Sequence, residues 1–246
     1  MSKTDTNQII RRITDFAMTI LLALLMAYQV TGGKAHEWIG MGMTALVVFH
    51  QILNRKWYQV IFKGKYNPYR AVTTVLSILL LLCFALTAFC GMSISRYAVP
   101  FLYGMAPSSF TRRMHLSMSY WAFVLMGLHL GMHIPAMTAS LKWKDGIKAV
   151  LTAVFTVLAG IGLWLFLRNG IPDYLFLRTP FAFLDYEKAG WLVLAENLLM
   201  LLFWAQMGTR TAQICTGTAG KRNLLIPIAT ILASGIIGIT LMLIFA

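Results

Sequence analysis

HEWIGMGMTALVVFHQILN, residues 36 to 54, and HLSMSYWAFVLMGLHLGMH, residues 115 to 133, decide how this chain folds. Each is a long apolar run that opens on a histidine and carries a second histidine fourteen residues later: His36 and His50 in one, His115 and His129 in the other, with His133 a helical turn further on. At 3.6 residues per turn, a step of fourteen is about 3.9 turns and ~21 Å of rise, so each helix presents imidazoles on one face at two depths. The eighteen-residue step from His115 to His133 is about 5.0 turns and keeps the same face. These five are all the histidines of the protein.

The solvent around these runs is lipid. Of 246 residues, 59% are hydrophobic and 12% charged, and the mean hydropathy is +0.71, outside the range of soluble domains. About seven stretches approach the ~20 apolar residues that a spanning helix needs: residues 13–31, 37–54, 71–93, 115–134, 147–167, 190–207 and 223–245. The expected fold class is thus an all-α membrane protein. Ile10-Arg11-Arg12 precedes the first stretch, but no A-x-A-like cleavage site follows, so this stretch reads as a retained helix.

The 21 basic residues outnumber 8 acidic ones. They fall between the apolar runs, which points to topology and lipid headgroups and away from nucleic acid. Lys3, Arg11, Arg12, Arg55, Lys56, Lys63, Lys65, Arg70, Lys142, Lys144, Lys148, Arg210, Lys221 and Arg222 lie on one side of the membrane, and Lys34, Arg96, Arg112, Arg113, Arg168, Arg178 and Lys188 on the other. The richer side marks the cytoplasm. The N-terminus is then cytoplasmic, Ala246 lies outside, and the two histidine helices run parallel, from outside to inside.

A single intramembrane histidine is often an interhelical hydrogen bond. Five on two helices with matching fourteen-residue steps point instead to a cofactor, because ionisable groups in a membrane are costly and mark function. Zinc wants three or four ligands converging at one depth, whereas haem iron needs one axial ligand from each of two helices. Cys83, Cys90 and Cys215 show no CxxC or CxxCH spacing and read as small buried hydrophobes. Gly40, Gly42, Gly127 and Gly131 would give room for a porphyrin. Lys34, Arg112 and Arg113 at one level, and Arg55, Lys56 and Arg70 at the other, are candidate propionate partners. Ser119, Asn54 and Thr44 are candidates to orient the imidazoles.

The runs from His36 to Asn54 and from His115 to His133 resemble the bacterial di-haem cytochrome b membrane subunits. The nearest likeness is to the small cytochrome b domain associated with flavinylated extracytoplasmic electron-transfer proteins, and a more distant one is to ferric reductase transmembrane domains. The likeness covers about residues 9 to 135. It implies a four-helix bundle over residues 1–135 holding two b-type haems in a bacterial cytoplasmic membrane. In it, His36 pairs with His115, and His50 pairs with His129 or, one turn on, with His133. It also implies a membrane cytochrome linked to an oxidoreductase, with a quinone and a flavin- or haem-containing redox protein as partners.

Residues 136–246 carry no histidine and are expected to form three further helices for packing, a partner surface or a quinone pocket. Glu196, inside the sixth stretch, is the best acidic candidate for proton handling, ahead of Asp15 and Glu37. Tyr174, Phe176, Phe181, Phe183 and Tyr186 crowd the loop before it, as an interfacial belt or a dock for a redox partner. No Rossmann or P-loop glycine motif is present in the sequence. Two other readings compete with the electron conduit. A haem-free transporter or metal permease with a histidine-lined path should show inverted repeats, and a bare anchor would leave the ladders unexplained.

Overall fold

The computed structural model describes residues 3–139, 141–217 and 225–245. The side chain of Lys3, residues Lys221 and Arg222, and the C-terminal Ala246, all used above for orientation, lie outside the described residues. The elements run α1 (Lys3–Met26), α2 (Tyr28–Leu53), α3 (Lys56–Val60), α4 (Pro68–Ile94), a 3₁₀ turn (Pro100–Leu102), α5 (Ser108–Thr138), α6 (Asp145–Arg168), α7 (Ile171–Leu175), α8 (Gly190–Thr216) and α9 (Leu225–Ile244). No strand occurs among the described residues.

Five helices, α4, α5, α6, α8 and α9, are long and apolar enough to cross a bilayer, and the chain has the make-up of a multi-pass helical membrane protein. The other two long helices are diluted by polar residues: α1 carries Arg11, Arg12 and Asp15, and α2 carries Lys34, Glu37 and two histidines. The outward face of α4 shows what surrounds the molecule. Val75, Ile78, Leu79, Leu82, Leu86 and Phe89 recur at helical spacing and are all exposed, a continuous apolar stripe that water would not tolerate and lipid tails match.

α5 is the centre of the assembly. It packs on α4 along one side and on α8 along the other, while α6 packs on α8 and α9, and α1 on α2. One buried core joins Met18 and Leu22 of α1, Met43 of α2, Phe123 and Val124 of α5, Leu165 and Phe166 of α6, and Met200 and Leu201 of α8. Helices from both sides of residue 136 therefore share it.

The α5–α8 contact is a backbone approach. A methyl group on Gly131 would collide with the Ala205 carbonyl, and one on Gly208 with the Leu128 carbonyl. Small residues of this kind let membrane helices come close enough for dispersion contacts to hold them. Pro135 lies inside α5 and has no N–H to give the carbonyl of Gly131. Thr209 of α8 supplies the missing donor: its hydroxyl lies 3.1 Å from the Gly131 oxygen and 2.8 Å from that of Ala205.

Gly32 separates the first turn of α2 from its main body at φ 68° and ψ 167°, a region open essentially to glycine alone. A Cβ there would meet no neighbour within 4 Å, so the obstacle to any other residue is backbone strain. Gly32→Ala is expected to cost about 1–3 kcal/mol, read as a lower thermal midpoint in detergent. An unchanged midpoint would show that the break relaxes freely.

Candidate functional site: two levels of histidine

The two histidine helices point in the same direction, His36 meeting His115 at one end and His50 lying near His129 at the other. At one end of the bundle, His36 of α2 and His115 of α5 face each other with ring centroids 6.1 Å apart and planes at 79°. Metal–imidazole bonds are about 2.0–2.1 Å, so two imidazoles bound to one metal from opposite sides have ring centres roughly 6 Å apart. The observed separation has that value.

The surroundings of His115 settle which of its nitrogens is free. The Nδ1–H of His115 donates to the backbone carbonyl of Thr87 at 2.9 Å, which leaves Nε2 as the lone-pair nitrogen. A carbonyl or carboxylate behind the far nitrogen is the usual support of a metal-bound histidine. Gly91 makes room for the ring, since a Cβ at that position would lie 3.0 Å from Cε1 of His115. On the other helix, the half-buried His36 imidazole lies within hydrogen-bonding reach of the Leu25 backbone. The ring of Tyr28 packs edge-on against His36, centroids 5.0 Å apart.

The neighbouring Glu37 has a structural task. Its carboxylate accepts from the Ser95 hydroxyl at 2.8 Å and from the backbone N–H groups of Arg96, Tyr97 and Ala98 at 3.0, 2.7 and 3.0 Å. Charged acceptors of several N–H groups make strong hydrogen bonds, and this one fastens the turn after α4 to the start of α2.

At the opposite end stand His50, His129 and His133. The Nδ1–H of His50 donates to Asp15 of α1 at 2.9 Å, and the lone pair on Nε2 accepts a long hydrogen bond of 3.3 Å from the Asn54 amide. His129 and His133 of α5 lie within electrostatic reach of both His50 and Asp15, and their own rings touch at 4.8 Å. The Ser77 hydroxyl approaches Nδ1 of His129 at 3.5 Å. His129 is half-buried and His133 exposed.

The sequence reading needs changes around this frame. Gly127 and Gly131 make no room at the histidines: a methyl group on Gly127 would press on Trp204 of α8, so both glycines belong to the α5–α8 contact. Gly40 and Gly42 face Leu25 and Leu21 of α1. Arg70 is taken up by its own loop, donating to the carbonyls of Val60, Lys63 and Lys65 and lying over the Tyr66 ring. Arg113 reaches the carbonyl of Leu177. Ser119 and Thr44 bond carbonyls of their own helices, which leaves Asn54 as the named polar candidate that reaches an imidazole. Glu196 is paired, with Lys188 at 2.5 Å and with the Asn169 amide at 3.2 Å. Asp15, ranked below it in the sequence, is the carboxylate that touches a histidine.

Among the described residues, no group of three or more His, Cys, Asp or Glu converges on a metal ion. Comparison with known protein families, with curated proteins and with solved structures finds nothing that matches this chain.

Proposed function

We propose that the chain conducts electrons across a membrane through two b-type haems, one held by His36 and His115 and the other by His50 and His129. The observation that carries this reading is the separation of His36 and His115, and one fourteen-residue step away His50, His129 and His133 lie near one another. α4 backs both imidazoles of α5, through the Thr87 carbonyl behind His115 and the Ser77 hydroxyl beside His129. That parallel, with the exposure of His133, favours His129 as the ligand.

In this reading α1, α2, α4 and α5 form the haem-binding bundle, α1 and α2 also span, and the molecule crosses the membrane seven times. It sits in a bacterial cytoplasmic membrane with its N-terminus inside and C-terminus outside, the side of each terminus following from the basic loops. Haem supplies reversible one-electron chemistry at iron. The chain's residues would orient it: Thr87 and Asp15 fix the tautomers of His115 and His50. A quinol or a cytoplasmic donor feeds the conduit, and a flavin- or haem-containing protein exchanges electrons at the outer face.

The test is a dithionite-reduced minus oxidised spectrum of the detergent-purified protein, with haem and protein quantified together. Sharp low-spin b-type bands at about two haems per chain are expected. A folded, haem-free protein would sink the conduit and turn attention to transport.

A further inference from the structure

Read from the sequence, Arg210 belongs to a basic loop. The structure places it inside α8 (Gly190–Thr216), a helix long and apolar enough to cross a bilayer. It stands ~9 Å from the last residue of that helix by the rise per residue, and only 8% of its surface is exposed. A charge so enclosed is costly unless it is paired. Among the described residues, no carboxylate lies within ion-pair distance of it, and its side-chain hydrogen bond runs from Nη1 to Oε1 of Gln213 on the same helix, at 3.0 Å.

The unpaired part of the group has a definite shape. With Nη1 engaged, the edge formed by Nε and Nη2 is open, and Nε is buried without a partner. The N–H groups of that edge point the same way, as a fork that meets two oxygens of one oxyanion. One helical turn back is Gln206, 7% exposed. Its Nε2 donates to the Thr156 hydroxyl of α6 at 3.3 Å, while its Oε1 is buried with nothing to accept from. Leu199 and Phe203, further along this face of α8, come against Gly162 of α6, so the fork and the acceptor follow the seam between α6 and α8. Buried polar atoms without partners are rare enough to require a reason, and here an orphan donor on a cation and an orphan acceptor share one helix face.

We propose that Arg210 and Gln206 form a binding site for a phosphate group, gripped side-on by the guanidinium fork while a hydroxyl of the ligand donates to Oε1 of Gln206. Sulfate and carboxylate ions at neutral pH answer the fork but bring no proton for the Gln206 oxygen. Two sources supply both halves: hydrogen phosphate, and an anionic lipid headgroup that carries hydroxyls, such as phosphatidylglycerol. Lipid phosphates gather at the ends of spanning helices, within reach of an arginine side chain at this depth. The site uses none of the histidines and does not depend on haem.

The experiment is a thermal-unfolding titration of the detergent-purified full-length chain, with sodium phosphate against sodium sulfate at equal ionic strength, and with micelles doped with phosphatidylglycerol against phosphatidylcholine. The salts are kept low, below the range in which both stabilise proteins by exclusion from the surface. Phosphate is expected to raise the midpoint at lower concentration than sulfate, or phosphatidylglycerol at lower concentration than phosphatidylcholine. A response to phosphate marks the free ion as the ligand, and a response confined to phosphatidylglycerol marks the headgroup. Arg210→Gln, and Arg210→Lys, which keeps the charge and loses the fork, should each raise the half-effective concentration about tenfold. Arg210→Lys carries the comparison if Arg210→Gln fails to fold. No response to either source, sulfate and phosphatidylcholine acting as well as their counterparts, or a response that both arginine variants retain overturns the assignment.

Discussion

A His115→Ala protein is expected to purify with about one haem per chain in place of about two, the remaining low-spin spectrum being unchanged. His36 and His115 are the imidazoles at their level of the bundle, and the next histidine on either helix is ~21 Å away along the axis, so no neighbour can take over. The alanine also removes the second hydrogen bond of the Thr87 carbonyl, which keeps its bond within α4. Size-exclusion chromatography therefore accompanies the haem assay to show that the variant is folded. His36→Ala should behave in the same way, because losing either axial ligand breaks the grip. His129→Ala should remove the other haem, and His133→Ala should keep both. Two intact low-spin haems in folded His115→Ala would refute the pairing of α2 with α5.

Asp15→Asn is expected to act on the His50 centre alone. The carboxylate that takes the Nδ1 proton of His50 makes that imidazole a stronger donor, and removing such a partner typically weakens metal binding about 10–100-fold. Where haem is retained, the more basic ligand of the native protein favours ferric iron, so its loss should raise the potential of this centre by tens of millivolts, about 59 mV being tenfold for one electron. The centre at His115, backed by a neutral carbonyl, should not move. A redox titration followed optically resolves the two. A shift of both centres, or of neither, would mean that Asp15 does not tune a ligand. With the carboxylate in place, this contribution would lower the potential of a haem held at His50 relative to one held at His36 and His115.

The long helices and the step of fourteen could be read from the sequence because they are local, periodic properties. What could not be read was which neighbour each face meets. Gly131 and a ligand-clasping glycine look alike in one dimension, and only the position of Ala205, far along the chain, separates them. Asp15 and His50 are 35 residues apart, with nothing in the spacing to pair them. The support of His115 is a backbone carbonyl, a group every residue carries, so Thr87 has no signature at all. Gly91, which gives the ring its space, lies in an apolar run where it reads as ordinary helix packing. Glu37 was visible as an intramembrane carboxylate, but its four donors belong to a turn that no pattern announces.

The proline in α5 has a bearing on how the molecule is made. The carbonyl that Pro135 leaves unanswered lies between His129 and His133 in the chain, and its donor, Thr209, sits seventy-eight residues later. Until α8 has left the ribosome and entered the bilayer, that carbonyl faces lipid, where an unmet polar group costs several kcal/mol. It follows that this end of α5 takes its final shape late, and that His129 and His133 reach their final placement only after most of the protein has been synthesised. The histidine-free part of the chain thus sets when this end of α5 is completed.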